Sequence, residues 1–476
     1  MSICFKQSLV IVFASTIASM LFLFGLTFPL NIRVSGDALG YLKIADSFSG
    51  FGMALTYAGD RTVGFPIFEY SIRQILSEFS STVFLLQWIN TIGVAMLATH
   101  LLATWLFCFW ADSVGHIKSA TTRHLLFIYL ATYPALIGHI TSPLTDTFSI
   151  DIILLALVSL NYALQAIRPH TLLAFSLFAS VCFGFAVLVR PASVIGVSVA
   201  LLVCLFISWL GTSQSRIALG IALTGYLIML APSLMNCNEK YGRFCLQAPQ
   251  TFNAVLSAQE GLRGARLMWS QQNGAPGTLP MVIDDTMFNH YYQECRIEKI
   301  FGWGDSSFTG CLLARPLTLS AFVAKKWLGL FDHFRFTPYV ENLTPAWLRN
   351  LSRMYGALSW IGLALCFAAL VKLRDGEMRF NLKQRLPSNL ATIWLISYSA
   401  VMLAQHTVLH TEERYGFPLI PLCALVLFEH CERSIAEYRS GGWSGVAPQY
   451  LFCLLVLVLF IVQITAWDKI SFVQTS

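Results

Sequence analysis

Long apolar stretches alternate with short polar connections along nearly the whole chain, and two polar intervals interrupt the rhythm. About eleven stretches reach bilayer-spanning length. They are Ser8–Leu30, Thr82–Trp110, His124–Ile140, Phe148–Leu164, Leu172–Val189, Ser193–Leu210, Ile217–Met235, Tyr355–Val371, Asn389–Leu409, Gly416–Phe428 and Tyr450–Trp467. The periodicity is that of helices, so the pattern predicts an all-α polytopic membrane protein. Arg190-Pro191 separates two of the stretches, because proline breaks the helical ladder and disfavours helix in the residue before it. The interruptions divide the chain into an N-terminal membrane module (1–235), an external subdomain (236–347) and C-terminal spans (348–476). The first polar interval, 31–81, is expected as the first external loop. The second is too long for an ordinary connection and reads as a folded unit.

Composition agrees with the pattern. Of 476 residues, 56% are hydrophobic and 12% charged, and mean hydropathy is +0.64. Soluble domains carry about 25% charged residues. The net charge of +6 is then a matter of loop sidedness, and there is no basic run of the kind that binds nucleic acid. The first stretch is too long for the apolar core of a signal peptide and has no small-x-small cleavage site, so it is expected to be a retained anchor with Lys6 inside. That orientation puts Lys118, Arg123, Arg168, Arg216, Lys372, Arg374, Arg379, Lys383, Arg385, Arg433 and Arg439 on the inner side.

Once oriented, Asp37, Arg61, Asp146, Arg190, His410 and Glu412-Glu413-Arg414 all fall at outer ends of spans. Asp37 and Tyr41 stand four residues apart and would share one helix face. Asp60 and Arg61 precede the turn-prone Gly64-Phe65-Pro66. A carboxylate at the membrane edge suits general-base work, and an arginine beside it suits a phosphate; the alternative is a solvated loop on the headgroups. Asp146 opens the fourth span and Asp151 lies about one turn deeper, where a carboxylate is usually functional or paired; the alternative is a boundary residue in wet headgroups. Arg190 either holds phosphate or snorkels as a cap. Lys325-Lys326-Trp327 through His333-Phe334-Arg335 reads as an amphipathic interfacial helix with basic groups near lipid phosphates. His406 and His410 share a helix face, which alone makes a poor metal site.

The pattern Asp37-x-x-Gly40-Tyr41-x-x-x-Ala45 followed by Arg61-x-x-Gly64-Phe65-Pro66 resembles the first external loop of the GT-C glycosyltransferases. The resemblance is to the subgroup holding the protein O-mannosyltransferases, the aminoarabinose lipid A transferases and the Rgt-type lipopolysaccharide sugar transferases. Asp146 (where those enzymes often carry Glu), Arg190-Pro191 and the run Glu413-Arg414-Tyr415-x-x-Pro418-x-x-Pro421 follow in family order. One departure is Met235 before Asn236, where the related enzymes carry arginine.

The resemblance implies a GT-C-like bundle that takes a sugar from a polyprenyl-phosphate donor and passes it to a lipid, glycan or protein acceptor. The expected setting is the periplasmic face of a bacterial inner membrane. It implies catalytic roles for Asp37 and Asp146, and donor-phosphate roles for Arg61, Arg190 and Arg414. Tyr41, Asp60, Glu413 and Tyr415 would support them. A divalent metal, Mg or Mn, would suit carboxylates facing phosphate, although no sequence feature requires one. An O-antigen polymerase or ligase, or a transporter or flippase, remains the alternative. A transporter would favour repeated halves and a midplane site, and the chain has no clear internal repeat.

Four of the 12 cysteines, Cys237, Cys245, Cys295 and Cys311, fall in the external interval. On an oxidising side they could form two disulfides, with three connectivities open.

Overall fold

The computed structural model describes residues 37–248, apart from 56, 58, 60, 78–85, 142–143 and 210. It also describes 267–269, 280–283, 298–299, 302, 306–314, 316–332, 346–373, 382–408, 413–441 and 472–474, with scattered positions between 13 and 25 and between 453 and 461. The chain divides into two units, Met1–Ala248 with Ala368–Ser399, and Pro249–Phe367 with Ala400–Ser476.

Unit one opens with three short helices, α1 (Asp37–Asp46), α2 (Phe51–Leu55) and α3 (Gly64–Ser77). Longer helices follow: α4 (Leu86–Ser113), α5 (Ala120–Ala131), α6 (Pro134–Thr141), α7 (Thr145–Gln165), α8 (Pro169–Val189), α9 (Val194–Ser208) and α10 (Ser213–Tyr241). Helix α7 is the axis of the unit: it packs against α8, α4, α6 and α10, and 83% of its most apolar window is buried. Small residues let the helices approach. A Cβ on Gly184 would meet Met229 at 2.4 Å, and one on Gly225 would meet the Ser180 hydroxyl at 2.3 Å, so α8 and α10 pack closely at glycine. Side chains add cross-links. Ser149 donates to the carbonyl of Ala186 at 3.1 Å, and Thr147 to that of Leu136 at 3.0 Å.

Among the described residues, six helices are long and apolar enough to cross a membrane, or seven if a bent pair counts as one span. The chain is thus a polytopic helical membrane protein. Much of the expected first and last spans lies outside the described residues. The expected span His124–Ile140 is two helices, α5 and α6, bent by 41°. Pro134 explains the break, since it removes a backbone donor and restrains Tyr133 before it. The expected boundary after Met235 falls inside α10. That helix continues through Asn236 to Tyr241 and ends at Gly242, whose φ of +69° forms a left-handed C-cap.

Unit two contains α11 (Phe308–Leu313), α12 (Pro316–Gly329), most of α13 (Ala346–Leu373), the last turns of α14 (Leu382–Val408), a 3-10 turn (Glu413–Leu419) and α15 (Ile420–Gly441). The expected span Gly416–Phe428 is therefore a 3-10 entry followed by a longer helix. Pro418 inside the entry removes one donor from a regular α-helical ladder. The backbones of α13 and α15 nearly touch, because a Cβ on Gly362 would lie 2.2 Å from the carbonyl oxygen of Cys423. Ile361, Leu365, Leu427 and Val456 form the apolar core beside this contact. The all-α expectation needs one amendment. Strands β1 (Leu267–Trp269), β2 (Pro280–Ile283) and β3 (Phe472–Gln474) form a small antiparallel sheet with Leu267 opposite Val282 and Ile283 opposite Phe472.

Candidate active site

The first polar interval folds back onto the end of α8. Thr62 donates to the carbonyl of Val189 at 3.5 Å across a separation of 127 residues. Gly64 is what allows the approach, since a Cβ there would lie 2.5 Å from the backbone of Leu188 and Val189. The two halves of the sequence pattern meet in this corner. The Arg61 guanidinium lies 5.6 Å over the Tyr41 ring, a cation–π contact that orients the cation. Tyr41 also meets Phe65 edge to face at 5.4 Å. Arg61 also passes close to Gly40, its Nε 3.8 Å from where a Cβ would stand, an ordinary contact distance. Below them Phe65 and Phe68 pack on Phe148 of α7. Arg73 and Asp46 tie α3 to α1 at the more exposed end. Asp37 is the first residue of α1; its side chain, like all of Asp60, lies outside the described residues.

The chain beside Val189 carries the buried charge. Arg190 caps α8 in extended conformation, its backbone N–H donating to Ala186, and Pro191 starts a 3-10 turn (Pro191–Ser193). Its guanidinium pairs with Asp146, in the first turn of α7, where the helix macrodipole favours a carboxylate. The other carboxylate oxygen of Asp146 lies 3.6 Å from Nδ1 of His139. Asp146 is 1% exposed and Arg190 8%, so neither charge leans on bulk water. Truncating either partner would break a buried ion pair, a strongly destabilising change. The structure thus brings Asp146 and Arg190 together and places Arg61 and Tyr41 on the segment docked beside them.

Several buried polar groups escaped the sequence reading. His139 arrives on α6 because the bend at Pro134 redirects the span. His100 of α4 pairs with Asp151 at 2.8 Å, and its other ring nitrogen lies 3.2 Å from the carbonyl of Leu130; Asp151 is therefore a paired residue inside the bundle. Glu69 is fully buried on α3, and neither carboxylate oxygen has a hydrogen-bond partner among the described residues. Burial, with a smaller contribution from Asp46, holds its carboxyl well above the usual carboxylate range. Histidines within the apolar runs of α4 and α6 were the available signal, since ionisable residues inside spans are seldom incidental.

In unit two, the Arg414 guanidinium lies 5.7 Å over the Tyr415 ring, and Tyr415 stacks on His406 at 4.6 Å. Glu413 lies in the 3-10 turn, its side chain outside the described residues, as are Glu412 and His410. The expected interfacial basic helix is corrected at Lys326. This lysine is 0% exposed, and burial lowers its ammonium to about 7. Neighbouring Trp327 donates its indole N–H to Thr407 at 2.7 Å, so this end of α12 is packed against protein. His333 and Arg335 lie outside the described residues.

Cys237 and Cys245 form a disulfide that pins the end of α10 to the chain after it. Cys311 is also disulfide-bonded; Cys295 lies outside the described residues. Among the described residues no three His, Cys, Asp or Glu side chains gather in a metal-holding group. The carboxylate of Asp146 already faces Arg190 and His139, a donor set unsuited to chelating Mg or Mn.

No protein-family model matches the chain, and no curated protein matches it. Among solved structures it is similar to the apo oligosaccharyltransferase of Archaeoglobus fulgidus, with 13% identity, a TM-score of 0.48, and coverage of 96% of this chain and 56% of the other. The same organism's enzyme with Zn and sulfate gives 12% identity, a TM-score of 0.46 and coverage of 95% and 53%. Its AglB in complex with an inhibitory peptide and a dolichol-phosphate gives 11%, 0.40, and 95% and 55%. The chain spans little more than half the length of these structures.

Proposed function

We propose that the chain is a polytopic glycosyltransferase of the GT-C type. It moves a sugar from a polyprenyl-phosphate donor to a lipid, glycan or protein acceptor at the outer, periplasmic face of a bacterial inner membrane. The observation that carries this reading is the docking of Arg61–Gly64 on the chain just before Arg190, which puts two motif arginines on adjoining segments. The acceptor hydroxyl gives its proton to Asp37 and its oxygen attacks the anomeric carbon. The bond from that carbon to the phosphate oxygen breaks, and the lipid phosphate leaves with the electron pair. Arg61 and Arg190 stabilise the charge that grows on the phosphate. Tyr41 holds Arg61, and Asp146 fixes Arg190 at the end of its helix. Arg414 keeps its assignment to phosphate within unit two, with Glu413 and Tyr415 in support; Asp60 supports Arg61. No step is assigned to a metal.

The test is transfer of label from a panel of polyprenyl-phosphate sugars in membranes containing the chain. Transfer above membranes lacking the chain is the expected outcome. Movement of intact lipid-linked sugar across the bilayer without transfer would replace the reading with a transporter, and joining of preformed glycans would replace it with a polymerase or ligase.

A further inference from the structure

Helix α14 belongs to unit one as far as Ser399, and a series of contacts holds that part against α8 and α9. The thiol of Cys204 on α9 donates to the carbonyl of Leu390 at 3.4 Å, and the Thr392 hydroxyl meets Nε2 of His116 at 2.8 Å. About one turn on, Trp394 packs on Phe183 of α8 with ring centroids 4.7 Å apart. Tyr398 then stacks on Trp394 at 5.1 Å, with the two rings 10° from parallel. The Tyr398 hydroxyl thereby comes to Ser193 and within electrostatic range of the Arg190 guanidinium. Ser193 closes the 3-10 turn that follows Arg190, its backbone N–H donating to the Arg190 carbonyl at 3.1 Å. The cluster is interior: Tyr398, Ser193 and Asp146 are 2%, 1% and 1% exposed.

Buried hydroxyls normally find an internal acceptor. Those of Thr104, Thr147 and Ser149 in this unit donate to backbone carbonyls. Tyr226 of α10 and Ser198 of α9 share a hydrogen bond of 2.9 Å. The approach of Tyr398 to Ser193 falls short of such a bond, and neither hydroxyl has another hydrogen-bond partner among the described residues. Two buried donors in this condition cost stability, and an acceptor oxygen placed between them and the guanidinium would recover it.

We propose that Tyr398 and Ser193 complete, with Arg190, a pocket for a phosphate monoester in unit one, both hydroxyls donating to phosphate oxygens beside the guanidinium. The inference rests on the glycosyltransferase reading for the ligand's source, the polyprenyl phosphate that leaves when the sugar moves. It adds to that site two residues outside the family-like motifs. The charge of Arg190 is already balanced by Asp146, and O–H donors hold an anion without bringing another charge into a buried place. The stack on Trp394 fixes the Tyr398 ring, so only the O–H torsion has to adjust, and the donor is preorganised. The hydroxyl hydrogen stays on tyrosine: the phosphate gains a hydrogen bond and no proton is transferred.

The test is calorimetric titration of the full chain in nanodiscs with farnesyl phosphate, against farnesol as the same hydrocarbon without phosphate and empty nanodiscs as the blank. The native chain is expected to bind farnesyl phosphate more tightly than farnesol. Tyr398→Phe deletes one oxygen and keeps the ring stack. It should weaken farnesyl phosphate about 10- to 100-fold and leave farnesol unchanged. Ser193→Ala should weaken farnesyl phosphate in the same selective way, whereas Tyr226→Phe, which breaks the other tyrosine–serine pair, should keep native affinity. Inorganic phosphate binding with the same dependence on Tyr398 would identify free phosphate as a ligand; farnesyl phosphate alone binding would identify a lipid headgroup. Equal affinity of native and Tyr398→Phe for farnesyl phosphate would overturn the proposal. So would absence of binding by both phosphates to the native chain, or an equal loss of farnesyl phosphate and farnesol in Tyr398→Phe, which marks a packing role. Tyr398-dependent binding in a chain that transfers no sugar would defeat the glycosyltransferase reading and leave the pocket standing. Sugar transfer by a chain whose phosphate affinity ignores Tyr398 would do the reverse.

Discussion

Arg190→Met removes the guanidinium paired with a carboxylate that is 1% exposed. Breaking a buried ion pair by removing one partner costs about 3–5 kcal/mol. Asp146→Asn breaks the pair from the other side and is expected to cost a similar amount. The double variant replaces the pair by two uncharged groups of similar size, a change that is often close to neutral. The coupling energy from a double-mutant cycle should therefore exceed about 2 kcal/mol. Tryptophan fluorescence during thermal unfolding in nanodiscs reads all four proteins. Each single variant should melt several degrees below native, and the double variant should recover most of the loss. Additive losses would refute the reasoning, because they would mean that the two groups make their stabilising contacts elsewhere.

Other consequences are sharp enough to measure. Gly64→Ala forces a Cβ into the backbone at Leu188 and Val189, and should cost about 1–3 kcal/mol in the same melt while lowering sugar transfer. Glu69→Gln should stabilise the protein at neutral pH. The folded carboxyl is raised by burial first and Asp46 second, so above the unfolded value near 4.3 the folded state binds more protons than the unfolded state. Native stability should therefore fall as pH rises from about 4.3 towards the raised folded value, and melts across pH should show that slope weakened in Glu69→Gln. Cys245→Ser opens a loop closed over a separation of 8 residues and should cost about 2–3 kcal/mol, abolished when the native chain is reduced.

Of about eleven expected spans, apolar periodicity found the six or seven spanning helices of the described residues near their observed places, because burial along a span is continuous and needs no knowledge of partners. It could not find the bend that makes α5 and α6 of one stretch: Pro134 marks the break, but where His139 then arrives depends on packing against α7. The sequence placed Arg61 and Tyr41 in two halves of one motif without pairing them; the docking that brings them together rests on Gly64 and the backbone of α8, which are far apart in sequence. Lys326 was misread for a related reason. A basic pair beside tryptophan looks interfacial until Trp327 is found hydrogen-bonded to Thr407 and Leu330 packed against Gly416. The sequence left Asp151 open between a paired or functional carboxylate and a boundary residue in wet headgroups; its buried partner His100 on another helix decides for the pair.

The most direct test of the central claim compares initial rates of label transfer from polyprenyl-phosphate sugars for the native chain, Asp37→Asn, Arg61→Gln, Arg190→Gln and Arg168→Gln at matched membrane levels. The account predicts losses of about 10²–10³-fold for Arg61→Gln and Arg190→Gln, near-complete loss for Asp37→Asn, and a native rate for Arg168→Gln, which lies at the other end of α8. Equal rates in all five proteins would contradict it.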